Sequence, residues 1–293
     1  MSTTLAAPVS MSSARAAVKD ILSRPSGLVG LTLVVLHLVL AVASPLLVPF
    51  DPSHIDADLM LLPPDALHWL GTDQLGRDVL TRTLLGGRQA ILVTAVATPL
   101  AVAWGGTLGI YLGLIGGRID DVAMRVVDAF LSLPWILQVL VIIVTFGGGV
   151  AVLIPTLAFF YGVPVIRIAR AAAHGVVARD FVTAARARGH SRSVIIWREI
   201  VPNVFDALMV EGAMRWSWML LAFSSLSFLG FGVAPPTPDW GLMIADSRSL
   251  MSVAPWAAIA PVLALSSLII GINMFADAMA KALGVDRQSK APV

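Results

Sequence analysis

The sequence contains repeated apolar runs, six in all, near or above the length that crosses a lipid bilayer. They lie at about 28–48, 89–115, 122–146, 150–168, 204–228 and 256–279. Crossing the hydrocarbon core takes roughly 20 apolar residues in a helix. The chain is 57% hydrophobic and only 13% charged, whereas soluble domains carry about 25% charged residues. The sequence therefore predicts an all-α integral membrane protein with six transmembrane helices.

The charges between these runs are segregated by loop. Between residues 167 and 203, only Asp180 and Glu199 oppose a set of seven arginines, which are Arg167, Arg170, Arg179, Arg186, Arg188, Arg192 and Arg198. The segments 50–88 and 230–255 instead carry net negative charge. Because short cytoplasmic loops are enriched in Lys and Arg, the basic loop and both termini are predicted to be cytoplasmic.

These signals divide the chain into five predicted parts. They are a cytoplasmic tail at 1–27, a first transmembrane helix at 28–48, an extracytoplasmic segment at 50–88, a five-helix core at 89–283 and a cytoplasmic tail at 284–293. The core includes a cytoplasmic loop at 175–203 and an extracytoplasmic loop at 230–255. Within the second run, the spacing of Gly105, Gly106, Gly109 and Gly113 favours close helix packing. Residues 116–121 are expected to form a turn, and Pro134 to kink or start a helix.

The chain shows no catalytic motif of its own. It has no cysteine, which excludes disulfides and thiolate metal sites, and its histidines lack ligand spacing. A phosphate-binding loop is missing, since no Gly-Lys pair occurs. We therefore expect neither ATP hydrolysis by this chain alone, nor a bound cofactor or metal, nor a nucleic-acid partner.

The most basic stretch, residues 179–203, predicts a rigid elbow. Residues 180–187 suit a short helix, with Ala184 and Ala185 as a close-packing surface. Gly189 favours a sharp turn, since glycine readily adopts positive φ. Ser191 is a candidate N-cap for a second helix at 192–199, and Pro202 is expected in the first turn of the fifth span. A basic loop held near anionic lipid headgroups is the alternative.

Two charged pairs are expected inside the spans. Glu211 and Arg215 share a helix face at i,i+4 spacing, and intramembrane charges usually face protein or a water-filled cavity. They are therefore candidates, with Trp218 and Met219, for lining a translocation path; the equal alternative is a structural pair between helices. Arg125 and Asp128 are expected to form a second, structural pair.

The extracytoplasmic segments contain candidate docking residues. Thr72 or Asp73 is predicted to cap a helix that runs to about Gly86, and prolines stiffen the loop 230–255. The residues expected to contact a docked protein are Asp73, Arg77, Asp78, Pro236, Asp239 and Trp240. A purely structural lid over the span ends is equally compatible with these patterns.

Five segments resemble one family when they are taken in order. The pattern TAARARG…IVPN is similar to the cytoplasmic coupling loop of permease subunits of ATP-binding-cassette importers. Four more resemble the dipeptide, oligopeptide and nickel permease branch, whose C-type subunit this chain resembles over residues 20–284. They are LGTDQLGRDVL at 70–80, GGRID at 116–120, LSFLGFGVAPPTPDWG at 226–241, and Pro255-Trp256 with Asn273 and Asp277.

The resemblance implies the type I importer permease fold and a place in the bacterial cytoplasmic membrane. It implies a second homologous permease, two ATPase subunits that bind ATP and Mg, an extracytoplasmic solute-binding protein and surrounding lipid. The ATPase contacts would fall on Thr183, Ala184, Ala185, Arg188, Gly189, Ser191, Arg192 and Pro202. Thr183 replaces the family's usual glutamate, which favours packing over an ionic contact.

The resemblance also implies a substrate class, which the sequence leaves open. Di- and oligopeptides are the first expectation, while nickel or metal chelates, opines and oligosaccharides are alternatives within the same architecture. An ion or small-solute channel and an intramembrane enzyme are alternatives from other classes.

Overall fold

The structure, a computed structural model, describes residues 11–285, which form helices joined by loops, with no β-strand in that range. Its helices, numbered in chain order, are α1 Met11–Ser23, α2 Pro25–Leu47, α3 Val79–Ile115, α4 Gly117–Ser132, α5 Trp135–Phe146, α6 Val150–Val177, α7 Asp180–Ala187, α8 Arg192–Ile195, α9 Val201–Phe228, α10 Trp240–Ser247 and α11 Pro255–Ala282. The all-α prediction is confirmed.

Four of the described helices are long and apolar enough to cross a membrane, namely α2, α3, α6 and α11. The pair α4 and α5 makes five if it counts as one bent span. Helix α9 has 28 residues but includes Asp206, Glu211 and Arg215. These charges separate it in composition from the other long helices.

The third apolar run is not the single helix predicted at 122–146. Helices α4 and α5 meet at 83°, with Leu133 in an extended conformation before Pro134. Proline disfavours helical backbone in the preceding residue and has no N–H for the helical ladder, which explains the break. The expected turn at 116–121 is also shorter than predicted, because α4 begins at Gly117.

Helices α3 and α6 form the most extensive helix pair. A Cβ atom on Gly105 would lie 2.3 Å from the Gly162 carbonyl oxygen, and one on Gly109 would lie 2.4 Å from that of Ile166. Helices can approach this closely only where side chains are missing. Gly106 points elsewhere, toward Leu208 with ordinary space, so the predicted packing stripe excludes it.

The first long apolar helix, α2, packs mainly against the last helix, α11. A Cβ atom on Gly30 would lie 2.6 Å from the backbone nitrogen of Phe275. The His37 side chain reaches Ser267 on α11, with 3.2 Å between Nε2 and Oγ. The first and last apolar helices, α2 and α11, therefore lie side by side in the bundle.

Candidate functional site

The first half of the elbow at 179–203 has the local structure that its sequence predicts. Helix α7 covers Asp180–Ala187, and Gly189 follows with φ of +79°. The backbone N–H of Gly189 donates to the Arg186 carbonyl, and that of His190 donates to the Ala185 carbonyl. This double hydrogen bond across a left-handed residue is the Schellman ending of a helix, so the turn is fixed by geometry.

The second half of the elbow differs from the predicted helix at 192–199. Ser191 caps α8 as predicted, accepting from the Val194 N–H at 3.4 Å. However, the α-helix stops at Ile195, and Ile196–Ile200 forms a π-helical turn that continues directly into α9. The N–H of Val201 bonds to the Ile196 carbonyl, five residues back.

The wide turn explains how Pro202 is accommodated. A proline inside an α-helix removes one hydrogen bond and clashes with the carbonyl of the preceding turn, and π-turns loosen the ladder locally. Pro202 lies in the first turn of α9, as predicted, but that helix is already connected to α8. The second half of the elbow, from Arg192, and α9 are therefore one continuous helical element.

The elbow has a buried face and an exposed face. Val182, Ala185 and Ile200 are fully buried in one cluster with α3 and α6 residues. The exposed side carries most of the predicted coupling residues, which are Thr183, Ala184, Arg188, Gly189, Ser191, Arg192 and Pro202. Ala184 and Ala185 therefore do not form one surface: Ala185 fixes the elbow to the bundle, and Ala184 faces outward.

An ion pair ties α6, just before the elbow, to the start of α4. The Arg170 guanidinium donates through Nε and Nη2 to both carboxylate oxygens of Asp120, with Nε at 2.5 Å from Oδ1. Asp120 is buried, and Arg170 lies about two turns before the end of α6. A two-point contact restrains orientation as well as distance. Movement of α6 would therefore also move α4, the first half of the bent pair α4 and α5.

Sequence reasoning missed this contact. Asp120 is the acidic residue of the GGRID segment, but no local spacing links it to Arg170. The predicted pair between Arg125 and Asp128 is wrong for the same reason, since Asp128 pairs with Arg167 on α6 instead. The exposed Trp197 on the π-helical turn, at 60% exposure, was also missed, although a tryptophan beside Arg198 in a polar loop is a visible signal.

A crevice of about 490 Å³ opens where α4 breaks from α5. Its walls come from the break, α6 and α9, and are Phe130, Leu131, Ser132, Leu133, Pro134, Trp135, Gln138, Phe160, Tyr161, Val163, Pro164, Arg215 and Trp218. The Gln138 amide donates to the carbonyls of Phe130 and Leu133, each at 3.0 Å. These carbonyls lose helical partners at the break, so Gln138 stabilises the bend that forms the crevice.

The four predicted path residues separate into different environments. Glu211 and Arg215 form the predicted ion pair, and Arg215 lines the crevice with Trp218, which is 58% exposed. Met219 is fully buried, and its sulfur lies 3.6 Å from the Thr98 hydroxyl in the core. Successive helical residues point about 100° apart, so Met219 cannot line the same surface as Trp218.

The segment before α3 is held together by buried charges. Asp78, not Thr72 or Asp73, caps α3: its carboxylate accepts from the Thr81 N–H at 2.7 Å and contacts the His68 ring at 2.9 Å. The Asp73 carboxylate accepts from Arg77 Nε at 2.7 Å and lies 3.6 Å from Arg82. All of these side chains are buried.

The second outer segment is buried in the same way at its key residues. Asp239 is only 1% exposed and caps α10, accepting from the Leu242 N–H. Burial raises the pKa of the Asp239 carboxyl to about 6. Trp240 fills the space beside Gly87 and donates to the Thr83 carbonyl at 2.7 Å.

Of the six residues predicted to contact a docked protein, only Pro236 is exposed. Asp73, Arg77, Asp78, Asp239 and Trp240 are buried. These five side chains are therefore buried inside the protein, which favours the structural alternative, and a docking role for this segment stays a prediction. Within residues 11–285, no cluster of three or more His, Asp or Glu side chains could hold a metal ion.

Comparison with known proteins gives two family matches. Residues 105–285 match the family described as the inner membrane component of binding-protein-dependent transport systems. Residues 12–64 match the N-terminal transmembrane domain of oligopeptide transport permease C.

Several individual proteins are similar over most of their length. The dipeptide transport system permease protein of Alkalihalophilus pseudofirmus is 31% identical, over 92% of this chain and 88% of the relative. The nickel transport system permease protein of Escherichia coli is 33% identical, over 88% and 93% respectively. The glutathione transport system permease protein of Pectobacterium atrosepticum is 32% identical, over 85% and 83%.

Proposed function

Since this chain belongs to the family of inner membrane components of binding-protein-dependent transport systems, as a C-type permease of the dipeptide, oligopeptide and nickel branch, we propose that it carries small solutes inward across the cytoplasmic membrane as one half of an ATP-driven importer. Members of this family are permease subunits without catalytic activity of their own. The chain is a multi-pass protein of the bacterial inner membrane.

The proposed membrane arrangement has six spans and cytoplasmic termini. The spans are α2, α3, the bent pair α4 and α5, α6, α9 and α11. Helix α9 completes the set because its 28 residues exceed the length needed to cross, and charges inside a span are tolerated where they face protein or water. The arginines of the elbow then lie on the cytoplasmic side.

The observation that carries the proposal is the rigid elbow. A partner that pushes on its exposed face acts on α9, because the π-helical turn joins α8 to α9 without a break. It also acts on α6, whose Arg170 holds the start of α4. One displacement at the elbow would therefore reach three of the elements that form the crevice.

In the proposed mechanism, two ATPase subunits that bind ATP and Mg dock on the cytoplasmic side, one under this elbow and one under that of a homologous permease. Their closure moves the elbows, and the path between the two permeases opens alternately to either side. A solute-binding protein delivers the substrate outside. Thr183 and Ala184 are small and exposed, which suits packing against the ATPase.

Di- or oligopeptides are the proposed substrates. The relatives' names support this class and also include nickel and glutathione. Metal chelates, opines and oligosaccharides therefore stay as alternatives for the same importer architecture.

Affinity purification from the native membrane tests the proposal. We expect an ATPase to co-purify in fixed ratio with this chain, and uptake into vesicles to require ATP on the elbow side. An assembly without an ATPase, or uptake that continues without ATP, would refute the importer and favour a channel.

A further inference from the structure

The guanidinium of Arg215 is only partly used by the protein. Its Nε donates to Glu211, and neither Nη group has another hydrogen-bond partner in the described chain. The side chain is about one-fifth exposed and lines the crevice, whereas Glu211 is more buried and does not line it. The positive end of the pair therefore faces the open space.

The free edge of Arg215 has the geometry of an oxyanion site. Two Nη groups in one plane present parallel N–H donors, which match the two oxygens of a carboxylate. Glu211 holds the guanidinium through Nε, so little side-chain entropy is lost when an anion binds. Such a site discriminates between a carboxylate and its neutral amide.

The rest of the crevice is apolar and aromatic. Trp135 and Tyr161 pack edge to face, with 6.0 Å between ring centroids, and Trp218 adds an exposed indole. A pocket with an aromatic wall and few polar groups uses the wall for affinity and the polar groups for orientation. Its volume of about 490 Å³ suits a solute of a few residues.

We infer that the crevice is a carboxylate-selective section of the solute path: the Nη edge of Arg215 receives the carboxylate of a small zwitterionic solute, and the aromatic wall receives its apolar side chain. The inference rests on the proposed function and makes Arg215 a specificity-determining residue. It favours peptides over neutral oligosaccharides and free metal cations.

Charged thiol reagents can test this directly, because the chain contains no cysteine. Ser132 is exposed and lines the crevice, so Ser132→Cys places one small thiol there. Thr145→Cys, exposed on α5 but outside the crevice lining, is the matched control. Both are labelled in the assembled complex, in phosphatidylcholine vesicles, with an anionic and a cationic methanethiosulfonate.

The ratio of anionic to cationic labelling should be about threefold higher at Ser132→Cys than at Thr145→Cys. The Arg215 charge changes the two rates in opposite directions, and the paired Glu211 offsets part of its field. Arg215→Gln should abolish the preference for the anionic reagent, since it leaves the Glu211 charge unpaired, and Arg215→Lys should keep it. Exchange of the pair, with Glu211→Arg and Arg215→Glu together, should reverse it. An unchanged preference in the exchange variant would mean that the pair is only structural.

Two further experiments distinguish a peptide carboxylate from other ligands of Arg215. Free L-alanyl-L-phenylalanine at millimolar concentration should slow labelling at Ser132→Cys more than its C-terminal amide does; equal slowing, or none, contradicts the carboxylate contact. A preference that disappears in phosphatidylglycerol vesicles would assign Arg215 to lipid phosphate and overturn the inference. Labelling needs no ATP, so these results are independent of the co-purification that tests the importer.

Discussion

The approach of α3 to α6 can be tested by one methyl group. In Gly109→Ala, the new Cβ would lie 2.4 Å from the Ile166 carbonyl oxygen and 2.8 Å from the Ala169 Cβ. Normal contact distances are about 3.5 Å, so α6 must move by roughly 1 Å. Because the obstacle is helix backbone, no side-chain rotation relieves it.

The expected cost follows from a matched control. Gly106→Ala, on the same helix, meets only the flexible end of Leu208 at 3.5 Å. Both variants gain about 1 kcal/mol of helix propensity, so their difference isolates the clash, which overpacking data place at about 1–3 kcal/mol.

Thermal unfolding of the purified assembly, followed by fluorescence-detected size exclusion, measures this difference. Gly109→Ala should melt at least about 2 °C below Gly106→Ala. Equal melting temperatures would refute the close helix approach on which the position of the elbow depends.

Two further predictions concern charges in the fold. The raised pKa of Asp239 means that the folded state binds a proton more tightly than the unfolded state, so wild-type stability falls as pH rises from about 4 to 6. Asp239→Asn should therefore gain about 1–2 kcal/mol relative to wild type between pH 5 and pH 8 in melting experiments; a pH-independent difference would contradict burial of the charge. Asp120→Asn should cost about 1–3 kcal/mol, and Arg170→Gln should add little in that background; additive losses would show that the pair does not interact.

The features predicted correctly from sequence are those that depend on neighbours in the chain. The helix at 180–187, the turn at Gly189 and the cap at Ser191 need only a few consecutive residues. Glu211 and Arg215 lie one helical turn apart, so the sequence spacing alone predicts their ion pair. Glycine spacing on α3 predicted close packing, because a helix face follows directly from residue number.

The features that sequence did not give depend on which distant side chains meet. Asp128 forms its ion pair with Arg167 on α6, and not with Arg125 on its own helix. Asp78, rather than Thr72 or Asp73, caps α3, because the preceding segment folds back through positive-φ glycines. The crevice exists because of the angle between α4 and α5, and Pro134 indicates a break without fixing its direction.

The outer segments also show that sequence alone does not predict which side chains become buried. Charged residues before a transmembrane span predict an exposed docking surface, because charged side chains are normally exposed. Here they pair with one another in the interior, so Asp73, Arg77 and Asp78 serve the fold. Burial is a property of the whole bundle, and no local pattern in this segment reveals it.

The central claim is that the elbow transmits ATPase movement, and one comparison at Gly189 tests it most directly. Asparagine tolerates the positive φ of +79° found there, whereas proline is fixed near −65°. ATP-driven uptake by the reconstituted assembly should persist in Gly189→Asn and be abolished in Gly189→Pro, with both variants inserted in the membrane at wild-type levels. Normal uptake by inserted Gly189→Pro would contradict the account.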